Sequence, residues 1–265
     1  MIVIFEGAGQ WVGSLFYTSH PMQKVKLHWF IRRTHRFMGV ILGLQFLAWT
    51  LGGLYFSWTR IENIRGENLR KEAALIPVSD SLAPLGEMLR SLSRTDSFGG
   101  ISAVSLIEIL GETHYQIQYQ AGSKKKVRLV HAGTGQWRSP LSEKEAVSLA
   151  QSRLLNPGPV ESVAYLQATG SHHEYREKPL PAYAVRFGAP SNTTVYVATE
   201  WGTVQSFRNN QWRVFDFLWM LHTMDYQGRD NFNNILLRAF SVFGLITIFS
   251  GFVLFFISQK RTKYS

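Results

Sequence analysis

Cysteine is absent from all 265 residues. That removes disulfides, thiolate metal sites, iron–sulfur clusters and c-type haem attachment from consideration. The redox compartment stays open, because an exported domain of this size holds together without disulfides. The chain also lacks a nucleophile elbow, a phosphate-binding loop, an HExxH pair and a dinucleotide glycine pattern. Hydrolases and nucleotide-dependent enzymes are therefore not expected. Charge is missing altogether from residues 37–58, and only Arg238 interrupts residues 235–257.

Those two uncharged runs carry most of the hydrophobicity, and a polar middle lowers the mean hydropathy to −0.06. The first, FMGVILGLQFLAWTLGGLYFSW, is about 33 Å long as a helix, enough to cross a hydrocarbon layer of about 30 Å. Tyr55 and Trp58 close it where an aromatic belt is expected. The second, ILLRAFSVFGLITIFSGFVLFFI, begins close to its one charge, so Arg238 snorkels toward the interface. Both runs predict transmembrane helices in contact with lipid.

The net charge of +10 has a partner class of its own to exclude. Of 28 Lys and Arg and 18 Asp and Glu, 18 and 14 fall within residues 60–213, leaving 10 and 4 for the two ends. A basic balance beside apolar helices reads as membrane flanks, and no nucleic-acid partner is expected. Lys24, Lys26, Arg32, Arg33 and Arg36 precede the first run, and Lys260, Arg261 and Lys263 follow the second. By the positive-inside rule both termini are cytoplasmic. The expected organisation is a cytoplasmic or interfacial segment 1–36, a transmembrane helix 37–58 and a periplasmic domain 59–211. An interfacial aromatic segment 212–234, a second transmembrane helix 235–257 and a cytoplasmic tail 258–265 complete it. Residues 1–21 are apolar but lack a basic start and contain Glu6, so they make a poor signal peptide. They suit an interfacial helix, or an overlong reading frame whose start is Met22.

Within the polar middle one pattern occurs twice. Residues 82–92 have helical spacing, followed by strand-like runs at 101–110, 114–119 and 126–131 and a glycine turn at 132–135. Then Ser142-Glu143-Lys144-Glu145 resembles a capping box and opens a helix through Leu155. Strand-like runs follow at 160–167, 182–187 and 194–198, with a turn at Gly202. RLVHAGTGQW (128–137) and VYVATEWGTVQ (195–205) align as strand, turn, strand. The expected fold class is an α+β membrane protein, two transmembrane helices flanking a duplicated α-β-β-β unit.

The second unit, with its helix SEKEAVSLAQ and the strands AYAVRF and VYVATEWGTV, resembles the PepSY domain. In place of that domain's usual turn aspartate stand Ala198-Thr199, with Glu200 nearby. The stretch LHWFIRRTHRFMGVILGLQFLAWTLGGLYF, with His35-Arg36 opening the helix and Gly52-Gly53 near its end, resembles the first helix of PepSY-associated transmembrane proteins. DFLWMLHTMDYQG and LLRAFSVFGLITIFSGFVLFF, with His222 and a Ser250-Gly251 step, resemble that family's last helix. The resemblance covers residues 27–258. Many relatives have four helices, where this chain has two. Relatives include haem-containing ferric-siderophore reductases. The resemblance therefore implies haem-linked electron transfer across a bacterial inner membrane, in iron uptake.

Eight histidines are available, and three flank the apolar runs: His28, His35 and His222. Bis-histidine haem b needs neutral imidazoles projecting from helices into an apolar pocket. His35 and His222 are the first candidates as ligands of haem iron. His28, seven residues before His35 and on its helical face, is a third. His35 and His222 lie on opposite sides of the expected bilayer, so one iron takes no pair from one chain. A homodimer, or a partner subunit of a membrane complex, supplies the second set. The competing expectation is a non-enzymatic accessory or inhibitory subunit that docks a periplasmic protein or peptide. His172-His173-Glu174 and Lys124-Lys125-Lys126 read as solvated surface. WRVFDFLWML (212–221) reads as an interfacial helix laying Phe215, Phe217 and Trp219 on lipid, or as a lid over a cofactor near His222. Asp216 and Asp225 stand close to such a site in sequence.

Overall fold

The structure, a computed structural model, describes residues 21–76, 82–94 and 98–262, with side chains from 29 to 256 among them. The expected interfacial helix at the N-terminus falls almost wholly outside the described residues. Helix α1 is Pro21–Trp58, 38 residues long. The apolar run 37–58 is its C-terminal part, and the helix continues back through the basic flank. Helix α2, Ile61–Arg65, ends on Gly66 at φ 72°, a left-handed position that suits glycine. After α3, Leu85–Ser93, come β1 (Phe98–Ile109), β2 (Glu112–Ala121), β3 (Lys124–His131) and β4 (Trp137–Arg138). Helix α4, Glu143–Ser152, precedes β5 (Val160–Leu166), β6 (Ala182–Phe187), β7 (Thr194–Ala198) and β8 (Thr203–Arg208). Helices α5, Asn210–Thr223, and α6, Ile235–Thr262, close the chain.

These elements form two compact units. The described residues up to Leu47, with those from Ile235 on, make one; Ala48–Asn234 make the other. Two helices, Trp29–Trp58 of α1 and Ile235–Phe256 of α6, are long and apolar enough to cross a membrane. Most of their large side chains point outward, Phe37, Leu44, Phe249 and Phe256 among them. In water so much exposed hydrocarbon would associate, whereas against lipid it is at its lowest free energy.

The second unit is built twice over as a helix followed by an antiparallel sheet, in the orders β1-β2-β3-β4 and β5-β6-β7-β8. Each sheet has four strands where three were expected. The additional strand comes after the glycine turn, where the two aligned phrases both continue as strand. The anticipated capping box is present: Ser142 accepts from the Glu145 N–H, and the Glu145 carboxylate accepts from the Ser142 N–H. Helix α3 covers one face of the first sheet, with Met88 and Leu92 packed among Tyr115, Ile117, Tyr119 and Val130.

A shared core joins the two halves. Ile109 and Leu129 of the first sheet pack with Leu149 of α4 and with Val185, Val195 and Val197 of the second. Gly202, at φ 65°, brings the β7–β8 turn down onto that core. A Cβ there would lie 2.6 Å from Ile109 Cδ1 and 2.9 Å from Leu129 Cδ1. The neighbouring Trp201 carbonyl accepts from Gln116 Nε2 at 2.7 Å, and Arg153 of α4 pairs with Glu108 of β1. Gly202→Ala is expected to destabilise this unit by about 1–3 kcal/mol, through left-handed strain and overpacking together. Thermal melts followed by tryptophan fluorescence would measure the loss, and an unchanged midpoint would refute the packing account.

His114, buried on β2, holds its Nδ1 3.1 Å from the Glu112 carbonyl, and its ring meets that of His131 at 5.3 Å. Burial lowers its pKa from the ordinary value of 6.5, and Arg138 and His131 push the same way. Below that value the unfolded chain takes up a proton that the folded state resists. The associated stability is complete above pH 6.5 and is lost as pH falls through the folded value. The melting midpoint should drop between pH 7 and 5, and drop less in His114→Gln; equal slopes would exclude His114 as the cause.

Candidate functional site

The candidate histidines fall in different units, and each is oriented by different chemistry. In the two-helix unit, His35 Nδ1 lies 2.7 Å from Ser250 Oγ on α6. Ser250 Oγ donates its one proton to the Thr247 carbonyl at 2.8 Å. With the hydroxyl proton on that carbonyl the oxygen accepts from the ring, an arrangement that has the imidazole proton on Nδ1 and the lone pair on Nε2. Gly251 lets the ring lie against α6: a Cβ there would sit 3.4 Å from His35 Cε1. The Ser-Gly step thus has two roles, the hydroxyl orienting the ring and the glycine making room.

Farther along these helices, Phe37, Met38, Ile41, Leu42, Phe240 and Phe243 line a wholly apolar cavity of about 200 Å3. That is below the ~300–1,000 Å3 of ordinary cofactor pockets. The apolar surface continues outward from it on both helices as exposed Phe37, Val40, Leu44 and Phe243. His28 lies on α1, and His20 lies outside the described residues.

In the other unit, His222 occupies the last turn of α5. Its ring stacks on Trp219, with centroids 6.1 Å apart and planes at 14°. Trp49 and Phe56 of α1 approach it to 5.8 and 6.4 Å. Phe215 stacks in turn on Trp219, at 5.8 Å and 14°. Spacing of four and then three residues puts Phe215, Trp219 and His222 on one face of α5. Of the three aromatics expected against lipid, Phe217 is exposed, while Phe215 and Trp219 belong to this stack. Among the described residues neither nitrogen of His222 makes a hydrogen bond.

The stack is held by charge. Trp219 Nε1 donates to Asp230 Oδ1 at 3.0 Å, and the other oxygen of Asp230 accepts from Arg176 Nη2 at 3.1 Å. Arg176 Nη2 also donates to Asp216 Oδ1 at 2.9 Å, and Arg229 pairs with the second oxygen of Asp216. Asp216 is 3% exposed. Its proximity to His222 in sequence becomes structural support: the carboxylate is saturated by two guanidiniums. Asp225 is likewise occupied, accepting the N–H groups of Gln227, Gly228 and Asn231. Those bonds, with Gly228 first, hold its carboxyl below the usual range against the opposing effect of burial.

The loop around residues 172–176 is docked. Glu174 accepts from Tyr196 Oη at 2.7 Å and from Arg213 Nε at 2.9 Å. Fully buried Tyr175 stacks on Tyr196 at 4.6 Å, and the His173 Nδ1 accepts from the Tyr175 N–H. Only His172 remains a plain exposed residue. The sequence signal that could have found this is the run Glu174-Tyr175-Arg176, an aromatic between opposite charges facing the arginines and aspartates of 208–230. No group of three metal-ligating side chains occurs among the described residues.

Asp216→Ala would leave half-buried Arg229 without its carboxylate and Arg176 with Asp230 alone. The expected cost is about 3–5 kcal/mol of stability, read as a lowered melting midpoint and faster proteolysis of the loop around Arg176. A variant that melts with the parent chain would show that the pair is not an essential tie.

The family model described as PepSY-associated TM region matches residues 1–258. No curated protein and no solved structure matches this chain.

Proposed function

The chain belongs to the PepSY-associated transmembrane family, and from that membership we propose that it is an inner-membrane protein of haem-linked electron transfer. Both termini are cytoplasmic in this reading, and the β-rich unit, two PepSY-like repeats, faces the periplasm. The observation that carries it is the relay His35–Ser250–Thr247. A resident axial imidazole has Nδ1–H anchored and Nε2 open, and the hydrogen bonds at His35 are compatible with that arrangement.

His35 and His222 would hold haem b, one on each side of the membrane, with His28 as a further candidate beside His35. Bound haem supplies one-electron exchange at its iron. The cavity beside His35 is smaller than a porphyrin, so a homodimer or a partner helix pair would complete the wall. At the outer position, Phe215 and Trp219 shield one side of the His222 ring, and Asp230 fixes Trp219. The exposed edge of that ring faces the acceptor, for which a ferric siderophore is the first choice in iron uptake. The chain would then serve as a membrane ferric reductase.

Purified protein expressed with haem supply should give a pyridine haemochrome of the b type. His35→Ala and His222→Ala should each lower haem content, and Ser250→Ala should weaken haem affinity roughly ten- to a hundredfold. Absence of haem from the parent protein would end this reading, and full retention in all three variants would remove these residues from it.

A further inference from the structure

The first sheet has an open edge. Strand β3 pairs with β2 along its whole length, from Ala121↔Lys124 to His114↔His131. On its other side it meets β4 only at Leu129↔Arg138 and Val130↔Trp137. The His131 N–H points to that outer side, donating to the Gln136 carbonyl at 2.8 Å. Alternate residues of an antiparallel strand point the same way, so Leu129, Val127 and Lys125 also direct their N–H and C=O groups outward. Continuing the register would set Pro140 opposite Val127, and proline has no N–H to offer. The chain departs there instead, and the Leu141 N–H goes to the Thr199 carbonyl. Among the described residues the outward backbone groups of Lys125 and Val127 have no ladder partner.

Along this edge lies a cavity of about 200 Å3, lined among others by Tyr119, Lys126, Arg128, Arg138, Pro140 and Glu200. Lys124, Lys125, Lys126 and Arg128 are all exposed, against the single carboxylate of Glu200. Arg138 is paired with Glu145 through Nη2 at 2.7 Å, but its buried Nε makes no hydrogen bond. Lysines alone on a strand edge serve to prevent aggregation. A guard of that kind requires no groove.

We propose that the β3 edge at 124–128 takes up an extended acidic segment of a partner protein by strand addition. The segment's backbone pairs with Val127 and Lys125, and carboxylates two residues apart face Lys126 and Arg128. The residue between them lies beside Val127, which favours a β-branched side chain, so the preferred pattern is acidic–Val–acidic. This surface is independent of the histidines and stands whether or not haem is bound.

The test uses the full chain in nanodiscs and a fluorescein-labelled peptide Thr-Glu-Val-Glu-Val-Glu-Thr, followed by fluorescence anisotropy. A second probe of identical charge carries N-methylated valines, which removes the backbone donors. Saturable binding is expected for the first probe, at least about tenfold weaker for the second. Binding should also be about tenfold weaker for the Lys126→Glu/Arg128→Glu chain, at unchanged haem content. Equal binding of both probes would reduce the edge to a patch that attracts any anion and overturn strand addition. Binding indifferent to the charge reversal would overturn the acidic partner, and no binding of either probe would overturn the whole. Should the double variant fold poorly, the two probes on the parent chain still decide.

Discussion

A carboxylate gripped by two guanidiniums in a nearly dry position is the interaction that ties α5 to its neighbouring segments in the β-rich unit. Asp216 sits on α5, Arg176 on the loop before β6, and Arg229 on the segment after α5. None of these three pieces has a hydrophobic core large enough to fix it alone. Burying a charge is favourable only when its partners saturate it, and here both oxygens are used. Once Arg176 is committed to Asp216, it also reaches Asp230, and Asp230 takes the Trp219 N–H. The orientation of His222 is thus the last link in a chain that begins at a buried ion pair two turns away on the same helix. The Glu174–Arg213 pair ties the same loop to the same helix a second time.

The two-helix unit solves the equivalent problem without charge. One hydroxyl has one proton, and Ser250 gives it to its own helix backbone. What remains is an acceptor, and an acceptor dictates which imidazole nitrogen is protonated. A carboxylate at that position would orient the ring equally well, but an isolated carboxylate in hydrocarbon would protonate or draw in water. A serine followed by glycine obtains the orientation at small cost, because the hydroxyl is already satisfied within α6.

The order of elements was legible because it is local. Period-two runs located β2, β3, β5, β6 and β7 within a few residues, and the Ser142–Glu145 box located the start of α4. The fourth strand of each sheet was visible only as an alignment between two phrases, since β4 is two residues long and has no periodicity of its own. The docked loop at 172–176 looked solvated because its stabilising partners lie about 20 to 54 residues away in sequence, as Glu174–Tyr196 and Arg176–Asp230 do. The small-residue step at Ser250-Gly251 was recognisable, whereas its pairing with His35 spans 215 positions. Spacing along one helix carries no information about what faces it.

The contrast between the two histidines follows the dielectric that each helix implies. Salt bridges surround His222, where α5 carries Arg213 and Asp216 and the following segment carries Arg229 and Asp230. Among the described residues a single neutral hydrogen bond, shared with Ser250, reaches His35 in the basic flank of α1. Each imidazole is therefore fixed by the kind of bond its surroundings permit.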